Sequence, residues 1–279
     1  MSMKALAWTL LAAMALTGVL LLNYWAAYQP LSTLVYSGIV MAFAGLANVV
    51  VPFRFLGIRK RASGALMLAG GAGLAFAALS WPASTIRVAQ PRTQLDQIMP
   101  EYQFSERHSV IIHARPEQVM QAVRQATFGD MKSLFTLLKI RATVLRAPFP
   151  MSRELQEKRI LDSFSESGFL TAGSARAITM FQAVDVRATR RAEVRTAQEF
   201  TDYRAQGAVK MAFDFNVEEA GKGWSTIRAE TRLLALDETR RGMGRYWRII
   251  VPGSGLLRLQ WLEGIKKRAE SMPDARPST

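Results

Sequence analysis

The only two histidines of the chain, His108 and His113, lie in one segment with strand composition. Because an odd separation along a strand directs side chains to opposite faces of a sheet, the two rings cannot share a metal ion there. Each histidine alone could act as an acid or a base, although a structural role is favoured. The chain has no cysteine, which excludes disulfides, thiolate catalysis and cysteine-ligated metal. We therefore predict no metal site and no cofactor.

A glycine-rich segment, Ala220-Gly-Lys-Gly-Trp-Ser-Thr226, has the composition of a phosphate-binding loop. It lacks the upstream glycine and the adjoining Lys-Ser/Thr pair of such loops, and it joins two segments with strand patterns, so we interpret it as a turn. The sequence contains no Gly-x-Ser-x-Gly motif and no dinucleotide fingerprint. No catalytic set is predicted, and an enzyme would have to use His108, His113 or Glu230.

Arginines are concentrated in two short stretches whose charge could attract nucleic acid or anionic lipid. No base-stacking motif accompanies them, and the membrane attachment predicted below argues against a nucleic acid partner. A solvated surface is the favoured interpretation, and attraction to anionic headgroups comes second, at up to about 1 kcal/mol per basic residue. The two groups are Arg187, Arg190, Arg191 and Arg195, and Arg240, Arg241, Arg245 and Arg248.

Three long runs without charged residues predict a membrane anchor over residues 1–85, with spans at about 5–27, 31–53 and 64–81. At about 1.5 Å per residue, such runs cross a hydrocarbon core of about 30 Å. The alternative for the first run is a cleaved secretory signal, but the run exceeds the apolar length of about 7 to 15 residues usual for signals. The third run is rich in Gly and Ala, which predicts close helix packing and allows a homo-oligomer through this span.

The basic residues between the second and third spans predict the topology. This loop contains Arg54, Arg59, Lys60 and Arg61, whereas the loop between the first two spans is uncharged. By the positive-inside rule the basic loop is cytoplasmic, so everything after Trp81 lies outside the cytoplasm. We therefore expect a multi-pass protein of the bacterial inner membrane with an extracytoplasmic C-terminal domain.

Residues 86–101 contain prolines and no periodic pattern, and we interpret them as a linker. A separate domain is predicted over residues 102–279. Its first strand lies within residues 107–114, and Pro116 opens an amphipathic helix at the favoured first position. A second helical pattern runs from Met131 to Ile140.

Alternating patterns after Gly168 predict an antiparallel sheet, with strands at residues 169–172 and 177–182. The clearest strands, 209–217 and 224–235, are joined by the glycine turn and predict a hairpin with one buried face. Its opposite, solvent-facing side is predicted to carry Lys210, Asp214, Asn216, Arg228, Glu230 and Arg232.

The chain is predicted to end in two helices. Asp237 caps a first helix through Ile250, Pro252-Gly-Ser-Gly255 interrupts it, and Ser254 caps a final helix from Leu256 to Ala269. The predicted fold class is therefore α+β, with three transmembrane helices followed by a mixed domain.

This domain resembles the START-like helix-grip fold of the SRPBCC superfamily, and in particular its bacterial members. The resemblance covers residues 104–270 and rests on the order of elements and on two segments. These are Glu106-Arg-His-Ser-Val-Ile-Ile-His-Ala-Arg-Pro-Glu117 and, after Glu230-Thr-Arg232 and Asp237, Arg245-Tyr-Trp-Arg-Ile-Ile-Val-Pro-Gly-Ser-Gly-Leu-Leu-Arg258. The resemblance implies a curved sheet around a long C-terminal helix, with a cavity for lipids or other hydrophobic ligands.

Such a cavity would place Arg258 among apolar residues of the final helix. A buried guanidinium needs a carboxylate, a backbone acceptor or an anionic ligand head, and the sequence leaves an internal ion pair and a ligand contact open. The predicted ligand-binding residues are Met211, Phe213, Phe215, Ile227, Ala229, Thr231, Leu257, Arg258, Trp261 and Ile265.

Three functions follow from these expectations. The preferred one is membrane-anchored binding of a hydrophobic small molecule or lipid in the cavity. An alternative is a cyclase-like or hydrolytic enzyme acting on a hydrophobic substrate, because some relatives with this fold are enzymes. A further alternative is a membrane scaffold whose cavity is filled by its own side chains.

Overall fold

The structure is a computed structural model of the chain. It describes Gly18 and residues 29–50, 61–131, 134–136, 153–186 and 190–273. The chain divides into two units. The hairpin unit consists of Met1–Ala83 and Arg241–Leu256, and the sheet unit consists of Ser84–Arg240 and Leu257–Thr279.

The hairpin unit contains two apolar helices, α1 (Pro30–Val50) and α2 (Arg61–Ser80). Among the described residues, these two are long and apolar enough to cross a membrane, and only 22 % of the apolar stretch of each is buried within the protein. They correspond to the predicted second and third spans with slightly shifted ends. The predicted first span, 5–27, lies outside the described residues apart from Gly18, as do Arg54, Arg59 and Lys60.

Glycines let α1 and α2 pack closely. A Cβ atom added to Gly71 would lie 2.3 Å from the backbone nitrogen of Ala42, and one added to Gly38 would lie 2.6 Å from that of Ala75. A Cβ on Gly73 would meet nothing within 4 Å. The close packing predicted for the third span is therefore made against the preceding helix, through Gly71 and not through Gly73.

The segment 86–101, interpreted above as a linker, forms short elements of the sheet unit: β1 (Ile86–Arg87), α3 (Gln94–Ile98) and the start of β2 (Glu101–Tyr102). Thr93 and Asp96 form a capping box, in which Thr93 Oγ1 accepts from the Asp96 N–H and Asp96 Oδ2 accepts from the Thr93 N–H. The linker prediction is wrong because elements this short show no periodicity, although Leu95 and Met99 are fully buried.

The remaining described elements of the sheet unit are strands and short helices. β3 (Phe104–Ile112) is followed by α4 (Pro116–Gln125), a 3₁₀ turn (Phe128–Asp130), α5 (Arg153–Glu157) and α6 (Ile160–Glu166). Then come β4 (Leu170–Gly173), β5 (Ala177–Asp185), β6 (Arg190–Arg191), α7 (Ala197–Asp202), β7 (Ala208–Gly221) and β8 (Trp224–Ala235). The predicted strands and the proline-started helix are confirmed, whereas the second helical pattern lies mostly outside the described residues.

In the described part of the chain, six strands form an antiparallel sheet in the order β3-β8-β7-β5-β4, with β6 paired to β5. One face packs on α4 and the last turns of the long helix α8 (Thr239–Glu270), around Phe213, Phe215 and Trp261. The other face packs on Leu95, Met99, Phe200 and their neighbours.

The β7–β8 hairpin therefore has two buried faces, and the prediction of a solvent-facing polar side is wrong. Lys210, Asp214, Glu230 and Arg232 on that side are all buried. The physical reason is that α3 and α7 cover this face, and that Lys210, Glu230 and Arg232 find partners there. An alternating pattern of apolar and polar residues does not show whether the polar residues face solvent or are buried as ion pairs.

The two predicted C-terminal helices are one helix, α8, which contains Pro252. Glu238, and not Asp237, is its N-cap residue, and Asp237 has a positive φ of 52°. Proline costs one backbone hydrogen bond and crowds the preceding turn. The helix continues because it is packed on both sides of Pro252, with Val251 and Leu262 buried. It contributes Arg241–Leu256 to the hairpin unit and its remainder to the sheet unit.

Within the hairpin unit, α8 is attached to the ends of α1 and α2. The Arg248 guanidinium donates to the carbonyl of Leu79 at 2.9 Å and to that of Trp81 at 2.7 Å. The Tyr36 hydroxyl of α1 donates to the carbonyl of Ile249. The last carbonyls of a helix lack intrahelical donors, so Arg248 satisfies groups at the end of α2 that would otherwise require other partners.

Candidate functional site

The ten predicted ligand-binding residues come together in one core of the sheet unit. Trp261 lies at their centre, with its ring centroid 4.7 Å from Phe215 and 6.0 Å from Phe213. Met211 and Leu257 are only partly buried at the edge of this core. The remaining buried members are Phe213, Phe215, Ile227, Ala229, Thr231, Trp261 and Ile265.

Arg258 extends from α8 into this core. One of its Nη atoms donates to the Thr231 hydroxyl. Its guanidinium carbon lies 5.1 Å from the Phe213 ring centroid and 5.3 Å from that of Trp261, which are cation–π distances. The guanidinium is therefore held by a neutral hydroxyl and by aromatic rings.

No carboxylate pairs directly with Arg258 in the part of the chain that the structure describes. Burial lowers the pKa of the Arg258 guanidinium, and the more distant charges of Glu106 and Asp214 oppose that change. The sequence left an internal ion pair and a ligand contact open, and the described residues do not supply the ion pair.

Two buried donors in this core lack a hydrogen-bond acceptor. They are Nη1 of Arg258 and Nε1 of Trp261, both shielded from solvent and without a partner among the described residues. An unsatisfied buried donor costs about 1 to 3 kcal/mol, and more when it is charged. The site can therefore accept a hydrogen-bond acceptor, and the positive charge favours an anionic one.

Glu106 and His108 lie on the same side of the sheet as Arg258. Their β3 positions pair with Thr231 and Ala229 of β8, and His108 Nε2 lies 2.7 Å from Glu106 Oε1. Glu106 belongs to a segment that carries the family resemblance, but it was not predicted as a site residue. The signal that could have found it is the even separation of residues 106 and 108, which places both side chains on one face of the strand.

His113 lies apart from this core. Its ring contacts that of Trp224 in a tilted arrangement with centroids 4.4 Å apart, and its backbone N–H donates to Glu270 at 3.0 Å. His113 therefore has structural contacts of its own at the end of β3.

Glu230, the third residue considered for catalysis, belongs to a buried ion network on the opposite face. It accepts from Arg107 at 2.8 Å and from Arg232 at 2.7 Å. Arg232 also donates to Asp96 at 2.6 Å and to the Met99 carbonyl at 3.0 Å. Because both oxygens of Glu230 are engaged by arginines, its role in this structure is to hold the network together.

Two aspartates around this network have opposite pKa shifts. Burial alone would raise the pKa of Asp96, but hydrogen bonds from the Arg92 backbone, Arg232 and Thr93 lower it to about 2. Burial and the charge of Glu230 raise the pKa of Asp214 to about 7, against the effect of Arg228 and Arg232. Asp214 Oδ1 also has no hydrogen-bond partner in the described chain.

Two surface grooves of the sheet unit lie elsewhere. A groove of about 560 Å³ is lined by Asp130, Lys267 and Arg268 among others, and one of about 230 Å³ by His113, Arg115 and Glu270 among others. None of the ten predicted residues lines either groove. The candidate site is therefore the interior around Arg258.

Comparison of the chain with family models, with curated proteins and with solved structures finds no match. The geometry alone defines an α+β unit with an antiparallel sheet and a long C-terminal helix. The interior between the sheet and this helix contains an arginine without a carboxylate partner among the described residues.

Proposed function

We propose that this protein is a membrane-anchored binder of a hydrophobic small molecule or lipid with an anionic head, held in the sheet unit in the helix-grip manner of START-like proteins. The observation that carries the proposal is the pair of buried donors without acceptors, Arg258 Nη1 and Trp261 Nε1. A carboxylate or phosphate oxygen could accept from both and offset the burial of the guanidinium.

The surroundings of Arg258 favour a hydrophobic body on such a ligand. Phe213, Phe215 and Trp261 surround the guanidinium, and Ile227 and Ile265 continue the same apolar core. Since these side chains contact one another, a ligand must displace some of them. Met211 and Leu257 at the partly exposed edge are suited to move, because an unbranched methionine adapts to different shapes.

Two alternatives each rest on one observation. The close packing of the core favours a scaffold whose interior is filled by its own side chains. The contact between His108 and Glu106 favours a cyclase-like or hydrolytic enzyme, because a carboxylate that orients an imidazole is a common part of acid–base catalysis. Recovery of a chemically altered ligand would favour the enzyme over the binder.

Attachment to the bacterial inner membrane is supported by the length and apolar composition of α1 and α2. The proposed topology places the basic loop around Arg61 in the cytoplasm and the sheet unit outside it. Reporter enzymes fused after Ala269 test this arrangement: activity should appear only with a reporter that works outside the cytoplasm, and cytoplasmic activity would reverse the topology.

Native mass spectrometry of the full chain in detergent, with and without added long-chain fatty acid, tests ligand binding. We expect a fatty acid adduct on the wild-type protein and its loss in Arg258→Met, which keeps an apolar stem and removes the charge. Lys267→Met is the matched control, because it removes one exposed charge from the same helix and unit. Equal adducts on all three proteins, or none on the wild type, would contradict the proposal.

A further inference from the structure

One face of α8 in the hairpin unit is basic, aromatic and exposed. The side chains of Arg241 and Arg245 are exposed and form neither a hydrogen bond nor an ion pair with any described residue. Tyr246 and Ile249 on the same face are 55 % and 49 % exposed. We call these four residues the α8 surface.

Helix stability does not explain this arrangement. Arg240 and Arg241 lie in the first turn of α8, where the helix dipole disfavours positive charge. No acidic residue lies three or four positions from Arg245 in the sequence, so this arginine cannot form a stabilising pair along the helix. An external anionic partner would offset both unfavourable features.

The opposite side of this helical segment fixes its position in the hairpin unit. Arg248 binds carbonyls at the end of α2, and Tyr36 near the start of α1 binds the Ile249 carbonyl. Trp81, just beyond α2, is 62 % exposed. Tryptophan, tyrosine and arginine together are typical of the level at which a spanning helix leaves the bilayer.

We propose that the α8 surface lies on the headgroups of anionic phospholipids. Arg241 and Arg245 contact lipid phosphates, which a planar guanidinium can bind through two hydrogen bonds, and Tyr246 and Ile249 enter the boundary between headgroups and acyl chains. A membrane is the partner that fits, because basic and apolar residues share one exposed face next to an apolar helical hairpin. The inference rests on the membrane attachment in the proposed function but not on ligand binding around Arg258.

A single fluorescent label can report on this surface. The chain has no cysteine, and a Cβ atom added to Gly242 would meet nothing within 4 Å, so Gly242→Cys offers one unique and uncrowded attachment point. The labelled full chain is reconstituted into vesicles of phosphatidylcholine, with or without phosphatidylglycerol. A nitrobenzoxadiazole label should emit further to the blue in the anionic vesicles and be quenched by spin-labelled lipids there.

Charge variants identify the cause of that shift. Arg241→Gln with Arg245→Gln should abolish the difference between the two lipid mixtures, and high salt should reduce it. Arg190→Gln with Arg191→Gln is the matched control, because it removes two exposed charges from β6 of the sheet unit, and the difference should persist.

The remaining outcomes separate the two proposals. Emission typical of water in both mixtures, from protein that floats with the vesicles, would overturn the lipid-binding surface and leave membrane attachment standing. An equal blue shift in both mixtures, unaffected by the charge variants, would likewise overturn recognition of anionic lipid. Protein that does not float with either vesicle would overturn the membrane attachment itself, and with it this inference.

Discussion

Arg258 donates a hydrogen bond to the hydroxyl of Thr231, a neutral partner. Arg232, on the same strand as Thr231 but facing the other side of the sheet, donates to the carboxylates of Asp96 and Glu230. The sheet unit thus contains two arginines with buried guanidinium nitrogens, one paired with carboxylates and one not, and this difference has measurable consequences.

Replacing each arginine by methionine should give opposite results. Arg232→Met leaves Asp96 and Glu230 buried without their common partner and should lower the free energy of unfolding by about 3 to 5 kcal/mol. Arg258→Met leaves no carboxylate stranded at ion-pair distance and removes an unsatisfied buried donor, so stability should be unchanged or rise by about 1 kcal/mol. Denaturation of the full chain in detergent measures both. Equal losses would show that Arg258 has a charged partner.

Asp214 should make stability depend on pH in a defined direction. Its folded pKa of about 7 exceeds the unfolded value of 3.8, so the folded state binds the proton more tightly and stability falls as pH rises through this interval. The slope is at most about 1.4 kcal/mol per pH unit for one proton. Asp214→Asn should therefore melt above the wild type at pH 8 and close to it at pH 4.

Asp162→Asn, which changes an exposed carboxylate, is the control for Asp214 and should follow the wild-type pH profile. An Asp214→Asn profile parallel to that of the wild type from pH 4 to pH 8 would mean that Asp214 titrates in the same range in both states.

Fragments that begin at Ser84 and at residue 102 should differ sharply in stability. The shorter fragment lacks Leu95, Ile98 and Met99, each of which contributes about 1.5 to 3 kcal/mol by its burial, and it lacks the Asp96 partner of Arg232. A loss of this size approaches the whole stability of an ordinary domain.

Both fragments need the same mild detergent, because Trp247 and Val251 are buried in the hairpin unit of the full chain. We expect cooperative unfolding from the fragment 84–279 and none from 102–279, as measured by near-ultraviolet circular dichroism. Similar cooperative transitions would show that residues 84–101 are dispensable after all.

Two neighbouring glycines of α2 should respond differently to alanine. Gly71→Ala places a methyl group against the backbone of Ala42 and should cost about 1 to 3 kcal/mol by overpacking. Gly73→Ala meets open space and should be neutral or stabilise α2 by about 0.5 to 1 kcal/mol, because alanine favours helix. Thermal unfolding in detergent compares them. A destabilising Gly73→Ala would indicate that this face is covered, as a homo-oligomer would require.

The hairpin of β7 and β8 was predictable because its alternation extends over many residues. The predicted strands 209–217 and 224–235 fall within the observed Ala208–Gly221 and match Trp224–Ala235. Long runs of aromatic and branched residues with a period of two leave little ambiguity. The same alternation correctly placed Phe213 and Ile227 on one buried face.

The second buried face was not predictable from local pattern. Arg232 finds Asp96 136 positions earlier in the sequence, and neither residue alone indicates that the other will neutralise it. Pro252 presented the converse difficulty, because its local preference to end a helix is overcome by packing on both sides. Tertiary partners determine both outcomes, and a one-dimensional pattern does not contain them.

The contact between Arg248 and the end of α2 has a consequence for synthesis on the ribosome. Arg248 is translated 167 residues after Trp81, whose carbonyl it binds. The end of α2 therefore lacks this donor while the chain from Ser84 to Arg240 is made. Domains generally fold as the chain emerges, starting from the N-terminus. The contact at the end of α2 therefore forms only after residues 84–240 have been made, and a chain cut short before Arg248 leaves this end of α2 without its arginine.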